Sequence, residues 1–120
     1  MTYDTVLARE TRTVVSPSKM ICGAGAVEQT GEYAALYGST ALVIATEQIF
    51  EFHGDTVLGA LEAADVETVV YTDVRPDPTV ENIEAAYGLW TEHDCDVIVT
   101  LGGGSSIDTG KGVGILASND

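Results

Sequence analysis

Positive charge is what this sequence has least of. Of its 120 residues only five are basic, Arg9, Arg12, Lys19, Arg75 and Lys111, against 19 acidic ones, for a net charge of −14. Such a chain repels nucleic acid and anionic membranes, and neither is expected as a partner. Cysteine is scarce too. Cys22 and Cys95 are the only pair. They lie far apart with no C-x-x-C spacing, so both read as reduced, buried thiols and not as a metal site. His53 and His93 are equally isolated, and metal ligands come in clusters. No apolar run approaches the roughly 18 residues needed to span a bilayer. Met1–Glu10 has no basic segment followed by an apolar one, so no secretory signal is expected and a soluble, cytoplasmic protein is.

What is present is apolar residue in quantity, 45%, enough for a folded domain at this length. The acids are dispersed, as in Glu28/Glu32, Glu62/Asp65/Glu67, Glu81/Glu84 and Glu92/Asp94/Asp96. Dispersed acid with almost no lysine suggests a surface adapted to high salt, where screening removes self-repulsion. An ordinary acidic protein is the alternative.

Thr11–Val15 and Lys19–Cys22 read as short strands separated by Ser16-Pro17-Ser18, a turn signal. Gly23-Ala24-Gly25-Ala26 is expected to open a helix that carries Val27, Tyr33, Ala34 and Tyr37 and is capped by Gly38. Thr40–Thr46 is a continuous apolar run, suited to a parallel strand buried on both faces. A helix is expected over Gly54–Ala64, a strand over Val66–Tyr71 and a chain break at Pro76-Asp77-Pro78. Thr79 then caps a helix with Ile83, Ala86, Tyr87 and Trp90 on one face. Asp96–Leu101 reads as a strand and Ser106–Ser118 as a helix. Alternation of this kind predicts an α/β fold, an open parallel Rossmann-like sheet with helices on both faces, and a single domain over residues 1–120.

Ligands of such sheets bind past the carboxyl ends of the strands. Three strand ends carry unusual residues: Glu47, Asp77 and the triplet Gly102-Gly103-Gly104. The triplet runs from a strand into a helix, where bare backbone N–H groups suit a phosphate. It is not a Walker A loop, because Ser105 stands where the first glycine is needed and Gly112 follows Lys111. It is not the G-x-G-x-x-G fingerprint either, because Ile107 occupies the third glycine position. Gly23-Ala24-Gly25 fails the same test at Glu28. A glycine triplet alone is also compatible with a tight turn that holds no ligand. Glu47 is placed to accept hydrogen bonds from a ribose diol and to disfavour a 2′-phosphate, which favours NAD over NADP; a solvated acid at a helix start is the alternative. Asp108 is expected in the first turn of the last helix, with Lys111 one turn further on. Gly110, Gly112 and Gly114 weaken that helix by about 1 kcal/mol each relative to alanine, which predicts close packing as compensation.

Pro76-Asp77-Pro78-Thr79 and Leu101-Gly-Gly-Gly-Ser-Ser-Ile-Asp-Thr-Gly-Lys111 resemble the iron-containing (group III) alcohol dehydrogenases. The family pattern is Pro-x-Pro-Thr, a helix, an apolar strand, then Gly-Gly-Gly-Ser-x-x-Asp-x-x-Lys. Ile21–Gly25 and Val43–Glu47 are similar to the family's early strand with its Gly-x-Gly turn and to its second strand. The Ser-x-x-Asp favours this branch over the similar glycerol dehydrogenases, polyol-phosphate dehydrogenases and dehydroquinate synthases. By the resemblance, Gly103, Gly104 and Ser105 meet the cofactor pyrophosphate, Glu47 and Asp77 lie against its adenosine half, and Asp108 lies near the cleft. Family members often carry Asn at the Asp77 position.

The resemblance implies NAD or NADP as cofactor, a small alcohol or aldehyde as substrate, and hydride transfer between them. It also implies a divalent metal, iron or zinc, held by a second, all-helical domain beyond Asp120. The chain then corresponds to the N-terminal half of such an enzyme, with no catalytic or metal-ligating residue of its own and no turnover by itself. The competing reading is a truncated, non-catalytic binding or assembly module. A homo-oligomer fits either reading, since an unpaired sheet edge or a bare domain face favours association.

Overall fold

A computed structural model describes residues 23–119. The expected strands at Thr11–Val15 and Lys19–Cys22, and Cys22 itself, lie outside the described residues. A short 3-10 turn, Ala26–Gln29, leads into helix α1 (Thr30–Ala35). Then follow β1 (Thr40–Ala45), α2 (Glu47–Ala63), β2 (Glu67–Tyr71), α3 (Val80–Glu92), β3 (Val97–Leu101) and α4 (Gly104–Ser118). The strands form one parallel sheet in the order β2-β1-β3. Leu42 pairs with Val69 on one side and Ile98 on the other. No helix among the described residues is long and apolar enough to cross a membrane.

β1 is central because every residue from Ala41 to Ala45 is apolar, and all five are fully buried. Its side chains alternate between faces. Ala41 and Val43 join Val57 and Leu61 of α2 and Ala34 of α1 in one core cluster. Leu42 and Ile44 join Ala86 of α3 and Val113 of α4 in the other. Burying Leu42, Val43 and Ile44 stabilises the fold by about 1.5–3 kcal/mol each. The expected apolar face of α3, Ile83, Ala86, Tyr87 and Trp90, lies in the second cluster.

This layering positions the site. α2 leaves the end of β1 for one face of the sheet, and α4 leaves the end of adjacent β3 for the other. Where neighbouring strands send their chains to opposite faces, a crevice opens at their carboxyl ends.

Four expectations need correction. The helix expected from Gly23 is a 3-10 turn followed by α1, and it ends at a Leu36 C-cap, not at Gly38. Gly38 is required for space instead, because a Cβ there would overlap the Asp96 carboxylate. α2 begins at Glu47, not Gly54, since the Thr46 hydroxyl accepts the Ile49 N–H at 3.3 Å and starts the helix. Gly54 then lies inside α2 with the Phe50 ring packed over it. α4 begins at Gly104, not Ser106, with Gly103 as its N-cap. Asp108 is therefore its fifth residue, beyond the first turn.

Candidate functional site

Gly102 has φ +116°, a conformation that L side chains rarely adopt. It swings the chain from β3 into α4. A Cβ built on it would stand 3.5 Å from Ile49 in the first turn of α2 and 3.6 Å from the Ser106 hydroxyl. A side chain at Gly102 would therefore press against Ile49, so the turn after β3 lies close to the start of α2 beyond β1.

The start of α4 differs from those of α2 and α3. Thr46 caps α2, and Thr79 caps α3 in a reciprocal box with Asn82. Both helices also carry an acid in the first turn, Glu47 and Glu81. α4 has a glycine N-cap that donates no side-chain acceptor, and no acid in its first turn. Its leading N–H groups have no partner within the helix, and the positive end of the dipole faces out uncompensated. Cβ atoms built on Gly103 and Gly104 meet nothing within 4 Å, and both glycines are exposed, so no side chain or backbone crowds this turn. Ser106, fully buried beside this turn, has a hydroxyl without a hydrogen-bond partner among the described residues. An open, acid-free and uncapped helix start of this kind fits a phosphate or pyrophosphate group.

The loop between β2 and α3 is brought to the same edge. Thr46 bridges Asp73, and Val74 packs in the second core cluster. The Tyr71 hydroxyl donates to the carbonyls of Asp73 (3.1 Å) and Asn82 (3.2 Å). Burial, and then the Asp73 carboxylate, push the Tyr71 phenol above its ordinary pKa. Arg75 pairs with Asp73 at 3.1 Å, both side chains well exposed, so the pair adds little stability. The Ser105 hydroxyl, on the first turn of α4, donates to the Pro76 carbonyl at 3.1 Å. One hydrogen bond thus joins the Pro76–Thr79 motif to the glycine motif, 29 residues apart.

Glu47 is exposed as the first residue of α2, and Asp77 is exposed between its two prolines. Both lie past the carboxyl ends of their strands, at the edge that holds Gly102–Ser105. Asp108 and Lys111 are exposed on α4 and make no ion pair among the described residues. Gly110 and Gly112 pack closely as expected, their Cβ positions 2.5 Å from Thr100 and 2.7 Å from Ile83. Gly114 does not, since its nearest neighbour, Ile98, is at an ordinary 3.9 Å. Sequence reasoning missed the cap at Thr46, which the Thr-Glu pair at the strand end signals. It also missed how close Ile49 stands to the Gly102 turn, for which no local signal exists. Among the described residues no group of three His, Cys, Asp or Glu side chains is placed to hold a metal.

The model of the family described as iron-containing alcohol dehydrogenase matches residues 17–120. A choline dehydrogenase of Bacillus subtilis is 34% identical over 106 residues, covering 87% of this chain and 26% of that protein. An NAD-dependent methanol dehydrogenase of Bacillus methanolicus is 28% identical over 105 residues, covering 86% and 28%. A solved structure of an archaeal halo-thermophilic alcohol dehydrogenase from a Red Sea brine pool superposes with a TM-score of 0.86 at 34% identity. That superposition covers 92% of this chain and 28% of that one. The chain spans about a quarter of the length of the relatives it matches.

Proposed function

Because the chain belongs to the iron-containing alcohol dehydrogenase family, we propose that it is the dinucleotide-binding part of a metal-dependent alcohol dehydrogenase, with NAD as the preferred cofactor. The observation that carries this reading is the start of α4: uncapped by any side chain, free of acid in its first turn, and uncrowded at the exposed Gly103 and Gly104. The backbone N–H groups of Gly103, Gly104 and Ser105 hold the pyrophosphate there, where hydrogen bonds and helix dipole act together. Glu47 accepts hydrogen bonds from the adenosine ribose hydroxyls, and its charge repels a 2′-phosphate. The NAD dependence of the Bacillus methanolicus relative supports that preference. Asp77 borders the adenosine half, and Asp108 lies further along α4, near the cleft.

When bound, the nicotinamide cofactor supplies the hydride acceptor for an alcohol or the donor for an aldehyde. This chain's residues contribute binding and orientation to that chemistry. The described residues do not fit a metal site. Metal ligands, and with them the substrate-polarising step, are assigned to protein outside residues 23–119.

Calorimetric titration of the chain with NAD and with NADP, in high KCl, tests the reading. Binding of NAD with weaker binding of NADP is expected. Heat signals from neither would remove the cofactor assignment, and a preference for NADP would remove the role of Glu47.

A further inference from the structure

The Ser105 side chain has one proton to donate, and in this structure it goes to the Pro76 carbonyl. The serine is the second residue of the helix and is half-buried. Its backbone N–H is one of the leading donors of α4 that have no partner within the helix, while its hydroxyl holds the neighbouring loop. That loop has little else to hold it. Val74 anchors one end in the core and the Thr79 box anchors the other. Between the bridge at Asp73 and the cap at Thr79, no other hydrogen bond among the described residues joins the loop to another element. Pro76 and Pro78 stiffen the turn, so a single tie at Pro76 fixes where Asp77 stands relative to the glycines.

We infer that Ser105 is a positioning residue, whose hydroxyl ties the Pro76-Asp77-Pro78 turn to the glycine cradle so that the adenosine and phosphate subsites of a dinucleotide are held at one spacing. The inference rests on the dinucleotide reading above, which assigns Ser105 to the pyrophosphate without giving its hydroxyl a separate task. A ligand that spans both subsites feels the tie. A ligand confined to the cradle does not, because the N–H groups it uses are backbone groups that persist in any Ser105 variant.

The test compares wild type, Ser105→Ala and Ser105→Thr, titrated with NAD and with inorganic pyrophosphate. Ser105→Ala should weaken NAD binding by about three- to tenfold, the weight of one hydrogen bond. It should leave pyrophosphate affinity within about twofold. Ser105→Thr, which keeps the hydroxyl, should restore NAD binding. Equal losses for both ligands in Ser105→Ala would make the hydroxyl a direct phosphate ligand and overturn the inference, as would no loss for either.

Amide hydrogen exchange gives a second readout that needs no ligand. The Thr79 amide, which donates to the Asn82 side chain at 3.2 Å, should exchange faster in Ser105→Ala than in wild type and Ser105→Thr, while α4 is unchanged. Unaltered exchange in the loop also overturns the inference. If wild type binds neither ligand, the proposed function fails, and exchange alone decides the tie.

Discussion

The carboxylate of Asp96 accepts the Thr40 N–H at 2.8 Å, which fastens the approach to β3 onto the first residue of β1. It also accepts the Ser39 N–H at 2.9 Å, and the Ser39 hydroxyl lies 3.3 Å from its other oxygen. These bonds, Thr40 first and then Ser39, hold the Asp96 carboxyl below the ordinary aspartate range. The clasp sits at the amino edge of the sheet, opposite the candidate site, and is exposed to solvent.

Asp96→Ala should lower stability by about 1 kcal/mol, or roughly 4–8 °C in Tm, and Asp96→Asn by less. A carboxyl whose folded pKa is depressed stabilises the fold above its unfolded pKa of about 4. That contribution disappears as pH falls through the folded value. The gap between wild type and Asp96→Asn in denaturant melts should therefore hold at pH 7 and close as acid protonates the native carboxyl. A gap that stays constant down to pH 2 would show that the charge is irrelevant.

Glycines in helices divide into two kinds. Gly110→Ala places a methyl 2.5 Å from Thr100 on the sheet and should destabilise by about 1–3 kcal/mol. Gly59→Ala, on exposed α2 with nothing within 4 Å, should stabilise by about 0.5–1 kcal/mol. Thermal melts of the two variants should move in opposite directions.

At the cradle, stability and binding should come apart. Gly104→Val projects its side chain into space that no protein atom fills within 4 Å of the Cβ, so Tm should change by no more than about 2 °C. NAD affinity should fall at least tenfold, since the branched side chain would crowd the proposed phosphate site. Unchanged affinity in a folded variant would move the site elsewhere.

The net charge of −14 carries its own test. Arg75 and Lys111 are the two Lys or Arg residues described in the structure, and Arg75 is already paired with Asp73. Self-repulsion among the acids is screened by salt, so Tm should climb steeply with KCl into the molar range. Adaptation of the acidic surface to salt is the reading this tests. A flat response would remove it.

The positions of the three described strands were legible in the sequence to within a residue. Continuous apolar runs such as Thr40–Thr46 have few ways to be buried other than as inner strands. The face of α3 was legible for a similar reason, since Ile83, Ala86, Tyr87 and Trp90 repeat at the helical period. Helix starts were less so. Ile49, Phe50 and Phe52 carry no clear helical stripe, and the start of α2 depends on a single hydroxyl of Thr46 meeting the Ile49 N–H. The start of α4 was misplaced because glycines read as turn, whereas here Gly103 and Gly104 serve as cap and first helical residue.

Within the candidate site, the sequence by itself determined the chemistry available: a glycine triplet after an apolar strand, flexible enough to turn and bare enough to offer its N–H groups, with acids at the ends of neighbouring strands. Those are local properties of backbone and residue type. Tertiary structure alone decided the sheet order β2-β1-β3, and with it the switch point between the ends of β1 and β3, from which α2 and α4 leave for opposite faces. It also decided that Ile49 stands beside the Gly102 turn and that Ser105 gives its proton to Pro76. No spacing rule predicts such contacts. They arise when segments far apart in the chain are packed onto opposite faces of one buried strand.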